Sequence, residues 1–207
     1  MIVIVGIVGG IAAGKTMVAD MFCEHPDTYK ISTDNLLHGL ILQQDIQAQL
    51  FKRWEDIPEV RSLKISGNNF LCRERISKIV FDKNNIEELK FVEDITCVPL
   101  KAMILDKLFY YDNPRTKMVV LDAPLLFEAG LEDICDKIVF VSAPAETRIA
   151  RHSARKLPLC AEDLLYRESI QRFTLEEKQA GCNATILNEG NLQNARILVE
   201  KFWKEFL

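Results

Sequence analysis

The chain has 207 residues, 48% of them hydrophobic and 27% charged, with a formal net charge of −4. This is ordinary for a folded globular chain, and the length suits one domain carrying inserted segments. The acidic balance speaks against a nonspecific nucleic-acid binder, and no apolar run approaches the length of a membrane span. The cysteines at positions 23, 72, 97, 135, 160 and 182 lie too far apart for zinc or C-x-x-C spacing. They read as free thiols of a reducing, cytoplasmic compartment.

Ile2-Val3-Ile4-Val5-Gly6-Ile7-Val8 is a β-branched run that predicts a buried strand. It lacks a basic flank and leads directly into a glycine-rich stretch, so it reads as a strand and not as a signal peptide. That stretch is Gly9-Gly10-Ile11-Ala12-Ala13-Gly14-Lys15-Thr16, followed by an amphipathic helix from Met17 to Phe22. G-x-x-x-x-G-K-[ST] between a strand and a helix is the P-loop. Its glycines let backbone N–H groups turn inward onto phosphate oxygens, and the helix start adds its positive dipole end. Lys15 brings a mobile point charge, and the Thr16 hydroxyl suits Mg²⁺.

A second strand is expected over Tyr29–Ser32, with Asp34 just beyond its carboxyl end. Ligands of open α/β sheets bind at that edge, so Asp34 is either a general base or Mg²⁺-linked carboxylate, or a helix N-cap. Residues 36 to 55 have helical spacing. The stretch from Ile57 to Phe70 has no clear period and includes a turn signal at Ser66-Gly67-Asn68-Asn69. Leu71 to Phe81 is helical with Arg73, Arg75 and Lys78 outward, and Asp82-Lys83-Asn84-Asn85 breaks it. A long helical stretch from Ile86 to Leu108 is expected to be interrupted near Pro99. This middle third reads as a helical insertion whose basic residues are mainly solvated.

Met118–Asp122 predicts a third strand ending on a carboxylate, which could hold Mg²⁺ or its waters or serve as a cap. The apolar loop Ala123 to Glu128 is a ligand wall by position, and a fourth strand is expected over Ile134–Ser142. Ala145 to Lys156 predicts a helix on which Arg148, Arg151 and Arg155 share an arc of about 60°. No acid lies three or four residues from Arg151 or Arg155. Such an uncompensated arginine stripe points to an anionic ligand. Residues 161 to 179 read as one helix with Arg167 and Gln171 on one side. Thr185–Asn188 is the fifth strand, and the final helix packs Leu192, Ala195, Leu198, Val199, Phe202 and Phe206.

The expected fold is α/β: a P-loop NTPase-type, doubly wound, parallel five-stranded sheet with a helical acceptor-binding insertion and a helical lid. The core would take residues 1–34, 114–144 and 180–207, the insertion 35–113 and the lid 145–179. That anatomy belongs to small-molecule kinases, which exclude water from the phosphoryl group in transfer.

Several stretches resemble the dephospho-coenzyme A kinase family. The Gly9–Thr16 P-loop with its Gly-Gly-Ile opening matches, as do Arg73 to Val80-Phe81, Pro124-Leu125-Leu126-Phe127-Glu128-Ala129-Gly130-Leu131, Arg151, Arg155, Arg167 and Gln171, and Ala184–Gly190. The resemblance implies ATP-dependent phosphorylation of the ribose 3′-hydroxyl of dephospho-CoA, with ATP and Mg²⁺ as cofactors. It makes Asp34 the base and Thr16 the metal ligand. Lys15, Arg151 and Arg155 would neutralise the transferred group, and Asn188 to Gly190 would lie beside adenine. Arg73, Leu125 and Glu128 would serve the acceptor. The chain departs from the family pattern at Ser32 (usually Asp), Val98 (usually His), Arg148 (usually Gln) and Asn183 (usually Asp). A kinase for another small alcohol, such as a nucleoside monophosphate, and an inactive nucleotide-binding regulator are the alternatives. No Asn-Lys-x-Asp run supports a switch GTPase.

Overall fold

The computed structural model describes residues 2–67, 70–82, 86–154 and 160–207. Among them, five strands pair into one sheet: Val3–Gly9 (β1), Thr28–Ser32 (β2), Met118–Asp122 (β3), Lys137–Ser142 (β4) and Ala184–Leu187 (β5). The order is β2-β3-β1-β4-β5, and every pairing is parallel. Their apolar residues alternate between two cores, as the strand period demands. Val5, Ile7, Met118, Val120, Val139 and Val141 face one side, packing with Lys15–Cys23 (α1) and the final helix Leu192–Phe206. Val8, Val119, Leu121, Ile138 and Phe140 face the other side and the helical insertion.

The insertion runs between β2 and β3 as Thr33–Ile41 (α2), Gln44–Arg53 (α3), Pro58–Ile65 (α4), Arg73–Val80 (α5) and Ile86–Tyr111 (α6). The single helix expected over 36–55 is broken at Leu42-Gln43. Gln43 is extended there, and the Gln47 side-chain amide donates to Ile41 O at 2.7 Å, satisfying a carbonyl that the first helix leaves open. The same side chain accepts from Leu71 N at 2.8 Å, tying the break to the stretch before α5. Where no period was legible, α4 starts with Pro58 in its first turn and buries only Val60, too little to show a pattern. Pro99 does not interrupt α6, which is continuous over 26 residues. Burial of Val92, Leu100 and Ile104 on both sides of the proline outweighs the missing hydrogen bond. The turn at 66–69 and the break at 82–85 fall partly outside the described residues.

After β4 come Ala145–Ser153 (α7), Ala161–Ser169 (α8) and Leu175–Ala180 (α9), with Leu192–Phe206 (α10) closing the chain. The helix expected over 161–179 is therefore two. Thr174 opens the second with a capping box: its hydroxyl accepts from Glu177 N and the Glu177 carboxylate accepts from Thr174 N. The fourth strand begins at Lys137, because Glu132–Ile134 is a 3-10 turn.

Candidate active site

The strand order reverses at β1, so β1, β3 and β4 open a crevice at their carboxyl ends. The P-loop leaves β1 there. Gly9 has φ 147°, and a Cβ on it would stand 2.2 Å from Val141 O of β4. Gly14, with φ 97°, is the left-handed residue before α1, and a Cβ there would meet Asn188 Nδ2 at 2.2 Å. Only glycine meets both demands. Ala12 also takes a left-handed φ, 59°. The first-turn N–H groups of α1 have no partner within their own helix and stand at its positive dipole end, where an anion is favoured.

The Lys15 ammonium folds back onto Gly9 O (3.0 Å) and Gly10 O (2.9 Å). Burial lowers its pKa from 10.5 to about 8, against the pull of Asp122 and Asp34. The Thr16 hydroxyl donates to Asp122 Oδ2 at 2.7 Å. Asp122, buried at the end of β3, keeps Oδ1 without a partner among the described residues, and desolvation raises its pKa despite that hydrogen bond and Lys15. Thr33 Oγ1 donates to Asp122 O at 3.1 Å, joining α2 to the end of β3.

Asp34 lies in the first turn of α2 but does not cap it; Ser32 does, accepting from Asn35 N at 3.4 Å. The Asp34 carboxylate is exposed and makes no hydrogen bond or ion pair among the described residues. Ser32 thus caps the helix, and the Asp34 carboxylate is not used for that role. His38, one turn along α2, has its pKa lowered by desolvation and by Arg73, with Asp34 pulling the other way. Arg73 is exposed at the start of α5, near enough to His38 to be felt there.

Of the arginine stripe on α7, Arg148 is compensated by an acid and Arg151 meets only neutral oxygens among the described residues. Arg148 is 6% exposed and forms an ion pair with Glu168 of α8, an acid twenty residues away in sequence that helical spacing could not reveal. Arg151 donates to Ala13 O at 3.3 Å and to Asn188 O and Oδ1 at 3.2 and 3.1 Å. Asn188, fully buried after β5, donates from Nδ2 to Ala13 O at 2.7 Å. Its amide is committed to bracing the P-loop, while Gly190 (φ 101°) turns the chain in the open. Arg155 lies outside the described residues. Arg167 packs its guanidinium 3.9 Å from the ring centroid of Phe81, joining α8 to the insertion.

Leu125 is half-buried in the loop after β3. Glu128, implied as an acceptor contact by the resemblance, is instead half of a buried ion pair. Lys178 Nζ of α9 stands 2.6 Å from its Oε1, with the two side chains 1% and 0% exposed. The same ammonium donates to Gln171 Oε1 at 2.9 Å. Glu93 of α6, 3% exposed, is nearby: desolvation and then Glu128 raise its pKa from 4.5 to about 7, with Arg172 3.4 Å away on the other side. Sequence reading missed Thr33, Glu93, Glu168 and Lys178. Only Thr33 carried a signal, as a polar neighbour of Asp34.

This geometry suits transfer of a phosphoryl group: an anion cradle, a hydroxyl–carboxylate pair and a free carboxylate meet at one edge. The dephospho-CoA kinase family model matches residues 3–194. The chain belongs to the dephospho-CoA kinase family. It is 30% identical to the dephospho-CoA kinase of Latilactobacillus sakei over 92% of this chain and 89% of that one. It is 29% identical to dephospho-CoA kinase CAB5 of Saccharomyces cerevisiae over 98% of this chain and 82% of that one. Among solved structures, the protein TT1252 of Thermus thermophilus aligns with TM-score 0.67 and 25% identity, covering 100% of this chain and 98% of that chain. Family membership makes this chain a kinase of the last step of coenzyme A synthesis, with ATP as the implied phosphoryl donor. No helix among the described residues is long and apolar enough to cross a membrane.

Proposed function

We propose that the chain carries out its family's reaction, transfer of the ATP γ-phosphoryl group to the ribose 3′-hydroxyl of dephospho-CoA, with Asp34 as the general base. The reading rests on one observation: Lys15, Thr16, Asp34 and Asp122 converge at the carboxyl ends of adjacent strands, and among the described residues the Asp34 carboxylate has no hydrogen-bond or ion-pair partner. P-loop N–H groups and Lys15 hold the β- and γ-phosphates. Asp34 accepts the acceptor hydroxyl proton as the oxygen attacks, so no alkoxide forms free in solution. Arg151, with Arg155 by family resemblance, supplies positive charge to the equatorial oxygens, which is where a phosphoryl transition state needs it.

The residues also fit Mg²⁺. The Thr16 hydroxyl donates to Asp122 and keeps lone pairs to offer, and Asp122 Oδ1 is buried and without a partner among the described residues. An all-oxygen pair of this kind suits a hard cation, which Thr16 and Asp122 would hold. When bound, the ion would neutralise negative charge on the nucleotide's phosphates.

On the acceptor side, Arg73 offers a phosphate contact and Leu125 an apolar wall, while Glu128 sets the wall's position through Lys178. The helical insertion, residues 35–113, holds dephospho-CoA, and residues 145–179 act as the lid. The free cysteines suit the cytoplasm.

The test is Asp34→Asn. Turnover with dephospho-CoA should fall by about 10²–10⁴, with ATP affinity within about twofold of wild type. Near-normal turnover in that variant removes Asp34 as the base.

A further inference from the structure

The P-loop is held from outside by a pair of side chains that the proposed chemistry does not use. Glu168 Oε1 accepts from the backbone N–H of Ile11 at 2.7 Å. Arg148 forms an ion pair with the same oxygen, and its Nη1 also lies 3.5 Å from Ile11 O. The Arg148 Nε donates to Ala143 O at 3.2 Å, which fixes the guanidinium at the foot of α7. Both side chains are buried, 7% and 9% exposed. They press on the loop closely enough that a Cβ on Gly10 would stand 2.9 Å from Arg148 Nη1 and 3.0 Å from Glu168 Oε1. Ala12, the residue after Ile11, holds a left-handed φ of 59°, a conformation that a non-glycine residue keeps only when its surroundings impose it.

The electrostatic setting is unusual. A carboxylate takes one N–H of a loop whose other N–H groups serve phosphate oxygens. Alone, a buried negative charge there would oppose a triphosphate across a short, poorly screened distance. Arg148 removes that opposition and grips the carbonyl side of the same residue.

We propose that Arg148 and Glu168 are positioning residues for the nucleotide: Glu168 fixes the Ile11 peptide of the P-loop, and Arg148 cancels the charge that this would otherwise set against the phosphates. The pair joins α7 and α8 to the Ile11 peptide of the P-loop. This inference rests on ATP binding at the P-loop, as proposed above.

The test is a charge cycle read by calorimetric ATP affinity, without acceptor, on Arg148→Gln, Glu168→Gln, Glu168→Ala and the double variant Arg148→Gln/Glu168→Gln. Arg148→Gln should weaken ATP about tenfold or more. Glu168→Gln, which keeps an acceptor for Ile11 N–H and loses the charge, should bind as tightly as wild type or tighter. The double variant should return to within about threefold of wild type, and Glu168→Ala should bind more weakly than Glu168→Gln. Should Arg148→Gln fail to fold, the double variant and the Gln–Ala comparison still decide. A merely structural pair predicts that Glu168→Gln weakens ATP as Arg148→Gln does and that the double variant stays weak; either result overturns the proposal. Absence of ATP binding in wild type would instead overturn the function proposed above.

Discussion

Lys178→Met removes the positive half of a fully buried ion pair. Lys178 Nζ is 2.6 Å from Glu128 Oε1, the side chains are 1% and 0% exposed, and Glu93 adds a second acid nearby. Methionine replaces the aliphatic stem, so lost packing is small and the effect isolates the charge. Breaking a buried pair leaves an uncompensated carboxylate and costs about 3–5 kcal/mol. The hydrogen bond to Gln171, 2.9 Å, is lost as well. For a domain of this size that loss lowers Tm by about 6–20 °C. Replacing both partners, Lys178→Met with Glu128→Leu, removes the orphaned charge and should recover most of it. Urea unfolding and thermal melts near neutral pH read both variants. A single-variant loss below about 1 kcal/mol, or a double variant no better than the single, would refute the assignment of Glu128 and Lys178 as a mutually dependent pair.

Three further outcomes follow from the same geometry. Glu93 releases its proton near 4.5 when unfolded but only near 7 when folded, so its contribution to stability falls as pH rises through that window. The loss is on the order of 3 kcal/mol, and Glu93→Gln should abolish it in denaturant titrations across pH. Lys15, lowered to about 8 in the free protein, is partly neutral above that pH, and a bound triphosphate favours its charged form. ATP binding near pH 9 should therefore take up a proton that it does not take up near pH 6.5, read by calorimetry in buffers of different ionisation enthalpy. Gly14→Ala puts a Cβ 2.2 Å from Asn188 Nδ2 at a φ of 97°, and should weaken ATP by more than about tenfold while Tm falls only a few degrees.

The fold was legible where one period dominates. β3 was read residue for residue, because its apolar run is buried on both faces, and the P-loop came directly from its spacing. Pro99 misled because packing on both sides of it overrode a local rule. The split between α8 and α9 was written in Thr174-x-x-Glu177, a capping-box signature that the surrounding helical composition masked. The site divides the same way. Residues whose chemistry is carried by a local motif, such as Lys15 and Thr16, could be named in advance. Glu168 and Lys178 could not, because each acquires its meaning from a partner brought close only by the fold: Arg148 and Ile11 for one, Glu128 for the other. Arg148 looked uncompensated for that reason.

The most direct test of the central claim is ADP release with Mg-ATP and dephospho-CoA, paired with the mass of the acceptor product. The account predicts ADP formation that depends on dephospho-CoA and a product heavier by one phosphoryl group. ADP release with other alcohols only, or no turnover while ATP still binds, would contradict it.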